Sequence, residues 1–155
     1  MGGVFTLSAS GSVEDSCAQR TPTGHPDVWI EEPDILHVTM RGTLDEAQAV
    51  ALLEAQLAAA VGWSHGIVFC DVSGLEWMSM AARRRFADTR NDGPRRAVIV
   101  IGANATLRTL AELLFRAVRA LRPVHASPTR FVRDLAEARA AVAELRRMLG
   151  VVSER

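Results

Sequence analysis

Side chains that could perform catalysis or bind a metal are scattered along this sequence. Its four histidines and two cysteines show neither the one-turn spacing of a helical metal site nor a Cys-x-x-Cys pair. These residues are His25, His37, His65, His125, Cys17 and Cys70. The sequence also lacks a Gly-x-Ser-x-Gly motif and any order of Ser, His and acid that indicates a nucleophile with its base. We therefore expect no enzyme, no bound metal and no cofactor.

A carboxylate ends a strongly apolar strand. In the stretch IVFCDVSG, Asp71 follows four apolar residues and lies where open α/β sheets place their ligands, at the carboxyl end of a buried strand. No base or nucleophile follows it at a recognised spacing. We favour a structural role, in which Asp71 accepts hydrogen bonds in a turn between strand and helix, over a catalytic one.

A second candidate site lies where the next apolar strand meets a helix. Gly102, Asn104 and Thr106 follow the run VIVI and precede a helical pattern. In such a setting, backbone N–H groups can hold an anion. The segment lacks the glycine spacing of a dinucleotide-binding loop and the lysine of a phosphate-binding loop. We interpret Gly102 as a turn residue and Thr106 as a helix cap, and we keep phosphate binding as the weaker alternative.

Arginines line one side of the helix predicted at residues 107–122. They are Arg108, Arg116, Arg119 and Arg122. A basic helix with an apolar opposite side can lie on an anionic lipid surface. It can equally pack its apolar side on a sheet, while Glu112 pairs with an arginine one turn away. We favour packing on the sheet, and the lipid surface remains the alternative.

Length and composition indicate one globular domain. The chain has 155 residues, of which 48% are hydrophobic and 23% charged, as in ordinary soluble domains. Residues 1–26, rich in Ser, Gly, Thr and Pro, are predicted to be a flexible tail. Residues 27–150 are predicted to form the domain, and residues 151–155 a short C-terminal tail.

Charge is distributed unevenly although it sums to zero. Residues 1–82 hold 2 Arg and 11 Asp or Glu, whereas residues 83–133 hold 12 Arg and 3 Asp or Glu. A zero total argues against a protein that coats nucleic acid. Trp29, Trp63 and Trp77 are not interleaved with basic residues, as a base-stacking strand would require. We expect no nucleic-acid partner, and we interpret the tryptophans as packing residues.

The first half of the domain reads as a hairpin, a helix and a buried strand. VWIEE and ILHVTMRG flank a Pro-Asp turn, which predicts an antiparallel hairpin. Thr43 and Glu46 have the spacing of a capping box and predict the start of a helix that runs to Val61. The apolar run that ends at Asp71 predicts a strand buried on both faces.

Helices and strands alternate through the second half. SMAARRRFADTR predicts a second helix, RAVIVIGA a buried strand, and Pro123 the end of a third helix. TRFV predicts a short last strand, and Asp134 with Glu137 predicts a capped final helix. The resulting order, β-β-α-β-α-β-α-β-α, predicts an α/β fold with a mixed, mostly parallel sheet and an N-terminal antiparallel hairpin.

This order, together with the stretch VFCDVSGLEWMSMAAR, resembles the STAS domain of bacterial anti-sigma-factor antagonists. It is more loosely similar to their STAS/SEC14 relatives with the SpoIIAA-like fold. The likeness covers residues 27–149. In that family an apolar strand is followed by Asp, an apolar residue, Ser-Gly, an apolar triplet and an acidic-Ser pair that opens the next helix. Asp71, Ser73 and Gly74 match this pattern.

The residue that the family phosphorylates is missing. The family's acidic position holds Ser79, and its phosphoacceptor position holds Met80, whose thioether cannot take a phosphate. One residue of offset turns a side chain by about 100° around a helix. We therefore interpret Ser79 as the N-cap of the second helix rather than as a shifted phosphosite.

The resemblance implies a non-enzymatic signalling module that binds a partner protein and works in bacterial regulation. The residues it implies for docking are Asp71, Ser73, Gly74, Ser79, Met80, Arg83 and Arg84. All 18 basic residues are Arg, which is typical of a GC-rich coding genome. Cys17 and Cys70 fall in a predicted tail and a buried strand, so we expect no disulfide and a cytoplasmic protein. Peripheral membrane association and a homodimer stay open.

Overall fold

Six strands form one mixed sheet whose spatial order follows the chain. The computed structural model describes residues 20–88, 94–121 and 127–150, and within these ranges the strands lie in the order β1 to β6. They are β1 Arg20–Pro22, β2 Val28–Glu31, β3 Ile35–Leu44, β4 His65–Met78, β5 Arg95–Ile101 and β6 Thr129–Val132. β1 to β3 pair antiparallel, and β3 to β6 pair parallel. The predicted α/β fold with its N-terminal hairpin is confirmed.

Helices link the parallel strands, which need long crossover connections. They are α1 Glu46–Ala59, α2 Met80–Asp88, α3 Ala105–Leu121 and α4 Leu135–Met148. α1, α2 and α3 lie over one face of the sheet, and α4 covers the other. In the parts of the chain just given, no helix has the length and apolar character needed to cross a membrane.

The sheet begins earlier than the sequence predicts. Residues 1–26 were expected to be a tail, but Arg20–Pro22 pair with Glu31, Ile30 and Trp29 of β2. The guanidinium of Arg20 lies 4.6 Å from the centre of the Trp29 ring, a cation–π distance. The observed order is therefore β-β-β-α-β-α-β-α-β-α. An edge strand of three residues pairs through its backbone, so it leaves no apolar alternation in the sequence.

β4 continues beyond the position where a turn was expected. It pairs with β5 only as far as Asp71, opposite Ile101, but it stays paired with β3 up to Met78, opposite Leu44. The register with β3 shifts twice in this extension, and Gly42 there takes φ +61°. The stretch from Asp71 to Met78, together with the end of β3, thus forms an extended two-stranded arm and not a strand-to-helix turn.

Strand alternation divides the core between the two faces. Ile67, Phe69, Ile99 and Ala97 point to the face of α4, where they meet a buried apolar stripe of that helix. The next residues along the same strands, such as Val68, point to the opposite face with the buried residues of α1. Each fully buried aliphatic or Phe side chain contributes about 1.5–3 kcal/mol. The prediction that this strand is buried on both faces is confirmed for residues 67–69.

Two helix caps differ from the predicted ones by two residues. α1 is capped by Asp45 and Gln48, which exchange side-chain to backbone hydrogen bonds of 2.8 and 2.9 Å, so the predicted box of Thr43 and Glu46 is wrong. Thr43 is still paired in β3. α3 is capped by Asn104, whose side chain accepts from the backbone N–H of Leu107 at 2.8 Å; Thr106 is not its cap. In both cases a side chain nearer the true boundary satisfies the free N–H groups.

The other two caps were predicted correctly. The hydroxyl oxygen of Ser79 accepts from the backbone N–H of Ala82 at 3.0 Å at the start of α2. The carboxylate of Asp134 accepts from the backbone N–H of Glu137 at 2.9 Å at the start of α4. Glu137 does not return a bond to Asp134; its carboxylate accepts from the backbone N–H of Arg133 instead. The predicted box is therefore half formed.

Charged pairs fasten α4 to the sheet. Arg139 donates from Nη1 and Nη2 to the carboxylate of Glu31 at 2.6 and 3.0 Å. Arg146 donates from Nε and Nη2 to the two carboxylate oxygens of Asp34. Only 7% of each carboxylate side chain is exposed. The Arg139 guanidinium, assisted by His37, lowers the pKa of Glu31 against the opposing effect of burial. Pairing of this kind offsets the desolvation of a buried charge.

His37 is enclosed in the same region. Its ring stacks on Trp29 with centroids 3.6 Å apart, contacts Phe69 edge-on, and its Nε2 lies 2.9 Å from Glu31. Burial lowers the pKa of His37, and this outweighs the opposing effect of the carboxylate. The ring is neutral at neutral pH and donates its Nε2–H to Glu31. The interpretation of Trp29 as a packing residue is confirmed.

Candidate functional site

The residues predicted to bind a partner fall into two groups along β4. Asp71, Ser73 and Gly74 lie at the base of the arm, and Ser79 opens α2 beyond its tip. At about 3.3 Å per strand residue, Gly74 and Ser79 are separated by up to roughly 17 Å. The sequence does not distinguish the two groups, because it predicts a single turn in place of the arm.

Asp71 has the structural role expected of it, although in a strand. One carboxylate oxygen, Oδ1, accepts from the backbone N–H of Ser73 at 3.0 Å and from its hydroxyl at 2.7 Å. Beside this pair, Gly102 takes φ +72°, and a Cβ added there would lie 2.6 Å from Cβ of Ser73. Gly102 thus combines the predicted turn geometry with a close approach of two backbones. This first group thus holds an exposed serine hydroxyl against a carboxylate, a contact that the search of the sequence for a nucleophile with its base did not identify. Because the same oxygen also accepts the Ser73 backbone N–H, the contact orders the chain locally, as in an Asx turn.

The second group surrounds the start of α2. The backbone N–H of Ser79 donates to Leu44 at 2.9 Å, and its hydroxyl caps the helix, so both of its polar groups are engaged. Arg83 turns back and donates from Nε to the carbonyl of Met78 at 3.1 Å. Arg84 is exposed. Ser79 is therefore held by the fold in the role predicted for it.

Two large apolar side chains are exposed at this place. Met80 is 63% exposed and Trp77 is 53% exposed. The interpretation of Trp77 as a packing residue is wrong, because the arm carries it beyond β5 and the sheet cannot cover it. Trp63, by contrast, is half-buried and packs against Gly66 as expected. We call Trp77, Met80, Arg83 and Arg84 the junction surface.

α3 packs less closely on the sheet than was expected. Arg108 does pair with Glu112 at 3.1 Å, one turn along the helix, as predicted. Leu110 and Leu113, however, remain 39% and 57% exposed, so the expectation that the apolar side is covered by the sheet is wrong for them. The side chain of Arg119 and the whole of Arg122 and Pro123 lie outside the described residues.

A cavity separates part of α3 from the sheet, and Leu110 is one of the side chains that line it. Its volume is about 520 Å³, and its walls come from the sheet and from α1, α2 and α3. Cys70 lines it; burial, with a smaller effect of the Asp71 charge, raises the pKa of this thiol to about 12. A thiol that remains protonated at neutral pH is a poor nucleophile. The sequence does not reveal this cavity, since apolar residues predict burial and not an unfilled space.

One buried charge faces the cavity. Arg96 lies on β5, two residues before Val98 on the same face. Its Nε and Nη2 atoms are buried and have no hydrogen-bond partner within the described residues. Burial lowers the pKa of Arg96, although a guanidinium stays charged. The sequence signal for this group is an arginine that alternates with Val98 and Val100 in an otherwise apolar strand, and it was missed.

The site therefore offers an exposed apolar and basic surface, an apolar cavity and, in that cavity, the Arg96 guanidinium, whose Nε and Nη2 have no hydrogen-bond partner among the described residues. Across residues 20–88, 94–121 and 127–150, no three His, Cys, Asp or Glu side chains come together as a metal site would require. A comparison with protein-family models finds no match, and a comparison with curated proteins finds no relative.

Proposed function

We propose that this protein is a non-enzymatic, STAS-like regulatory module that binds a partner protein through the junction surface. The observation that carries the proposal is the exposure of Trp77, just before α2, and of Met80, at the start of α2, where Met80 lines a surface pocket together with the exposed Arg84. Large exposed apolar side chains next to arginine are the typical centre of a protein interface. They also lie at the start of α2, where the STAS resemblance implies docking.

The partner would offer an apolar group to Trp77 and Met80 and a carboxylate to Arg84. Shape and burial would supply most of the affinity, because a rim charge contributes mainly to the association rate. A bacterial cytoplasmic signalling protein is the partner that the resemblance implies. A homodimer formed by the same surface is a special case of this proposal.

The usual phosphorylation switch would not operate in this module. Met80 cannot accept a phosphate, and the Ser79 hydroxyl is the cap of α2. A phosphate on Ser79 would have to break that cap. We infer either constitutive binding or a different control. Incubation with a cognate kinase should leave the protein unmodified, and labelling that disappears in Ser79→Ala would overturn this inference.

Affinity capture with matched variants tests the docking proposal. Met80→Glu places a charge in the junction surface, and Met148→Glu makes the same change at a methionine that is 55% exposed on α4. We expect a partner retained by wild type and Met148→Glu to be lost from Met80→Glu. Equal retention by both variants would remove Met80 from the interface.

A second function is supported by α3. Leu110 and Leu113 are exposed on a helix that also carries Arg108 and the exposed Arg116, as in helices that lie on anionic membranes. Co-sedimentation with anionic vesicles should then weaken with salt and with Arg116→Glu. Arg147→Glu, an exposed arginine on the opposite side of the sheet, should leave it unchanged. Binding that both variants reduce equally would reflect overall charge alone.

A further inference from the structure

The cavity beneath α3 contains a charged group that the described part of the protein leaves without a hydrogen-bond partner. Nε and Nη2 of Arg96 are buried and, among the described residues, neither has a hydrogen-bond partner. Proteins seldom leave buried charged donors unpaired, because such groups lose their hydration and gain nothing in exchange. An anion inside the cavity would satisfy both nitrogens at once.

The two unpaired nitrogens form one edge of the guanidinium. Elsewhere in this protein, Arg146 uses the same edge: its Nε donates to Oδ2 of Asp34 at 2.9 Å, and its Nη2 donates to Oδ1. Two parallel donors match the two oxygens of a planar carboxylate. The edge that Arg96 leaves open is therefore suited to a carboxylate supplied from outside the chain.

The remaining walls suit a hydrocarbon. Val68, Val98 and Val100 line the sheet side, and Leu107 and Leu110 line the α3 side. The volume of about 520 Å³ lies within the range of about 300–1,000 Å³ that is typical of small-molecule sites. A fully polar ligand would lose its hydration against these walls, whereas an apolar chain gains by leaving water.

We propose that this cavity binds a free fatty acid, with its carboxylate on Nε and Nη2 of Arg96 and its chain between the valines of the sheet and α3. Arg83 and Glu76 also line the cavity and carry opposite charges, so the lining has a net charge of one from Arg96, which favours a carboxylate over a phosphate monoester of about −1.5 to −2. The hydroxyl-bearing Ser127 and Thr129 also line the cavity, and Thr129 pairs with Val98, close to Arg96. Trp77 and Arg83 of the junction surface also line the cavity, so the two sites adjoin, but the carboxylate contact with Arg96 does not depend on partner docking.

Calorimetric titration of the full chain with laurate, kept below its micelle concentration, tests the proposal. Laurate should bind, and Arg96→Met should weaken it on the order of tenfold to a hundredfold, as for loss of a charged hydrogen bond. Arg95→Met changes the neighbouring, exposed arginine and should bind as wild type does. Methyl laurate, which has no charge to pair with Arg96, should bind wild type more weakly than laurate does. Equal laurate affinity in wild type and Arg96→Met would overturn the proposal.

Two further measurements separate the head-group contact from adventitious binding. With laurate labelled at its carboxyl carbon, the carboxyl pKa should fall on binding to wild type and rise on binding to Arg96→Met, where burial acts alone. Ala111→Trp adds a large side chain on the α3 wall of the cavity and should abolish binding. A pKa that is the same in both proteins, or binding that survives Ala111→Trp, would place the ligand elsewhere. Absence of laurate binding to the wild type would also refute the proposal.

Discussion

Two arginines attach the sheet to α4 in the same chemical way but in different surroundings. Arg139 on α4 forms a two-point pair with Glu31 of β2, and Arg130 of β6 forms a two-point pair with Glu144 on α4 at 2.8 and 2.9 Å. The carboxylate of Glu31 is 7% exposed, whereas that of Glu144 is 48% exposed. Replacing each arginine by methionine removes the charge and keeps most of the apolar stem. The comparison isolates the effect of burial.

The expected magnitudes follow from which charge is left behind. Arg130→Met strands Glu144 in water, and an exposed pair contributes about 0–1 kcal/mol. Arg139→Met strands a buried carboxylate, and breaking a fully buried pair costs about 3–5 kcal/mol. The Arg139 side chain is itself 46% exposed, and His37 still donates to Glu31. We therefore expect about 2–4 kcal/mol for Arg139→Met and at most about 1 kcal/mol for Arg130→Met.

Urea unfolding at neutral pH measures both losses. The urea concentration at the unfolding midpoint should be lower for Arg139→Met than for Arg130→Met. The slope of the unfolding free energy against urea should be the same, since neither change alters the surface exposed on unfolding. At lower pH, protonation of Glu31 should reduce the difference between the variants. If Arg139→Met and Arg130→Met lost the same unfolding free energy, burial of Glu31 would not be what makes its ion pair more stabilising.

Three other perturbations have defined outcomes. The pKa of His37 in the fold lies below its ordinary 6.5, and that of Glu31 lies below 4.5. The unfolded chain therefore takes up protons first, so the free energy of unfolding should fall as pH is lowered through these values. His37→Gln keeps a donor for Glu31 and should flatten the upper part of this fall in a pH series of urea midpoints. Gly102→Ala should lower the thermal stability more than Gly62→Ala does. Both glycines have positive φ, where an added Cβ costs about 1–2 kcal/mol of stability. Of the two, only Gly102 has another residue within 4 Å of the added Cβ. Ser79→Ala should cost about 1 kcal/mol and increase amide exchange in the first turn of α2, and unchanged exchange there would contradict the cap.

Local patterns in the sequence predicted most of the architecture. The short, β-branched apolar runs around Phe69 and Ile99 favoured interior strands, and the longer periodic stretches between them favoured helices. Ser79 and Asp134 were recognisable as caps from their position before helical runs. These features depend on neighbours in the chain, and so the sequence reveals them.

Features that depend on distant partners were missed. β1 exists because β2 offers a free edge, and the arm beyond Asp71 exists because β3 continues to Leu44. Neither partner can be identified from the residues that pair with it. The exposure of Trp77 and the isolation of Arg96 follow from the same long-range geometry, so the candidate site was only partly predictable.

Site-specific photo-crosslinking at Met80 in living cells is the most direct test of docking at the junction surface. A photoreactive residue at position 80 should give one discrete protein adduct that Arg84→Glu diminishes, while the same residue at Met148 should give none. The adduct should form without any phosphorylation of the protein. Adducts of equal yield at both positions, or an adduct at position 80 that is indifferent to Arg84→Glu, would contradict the proposed function.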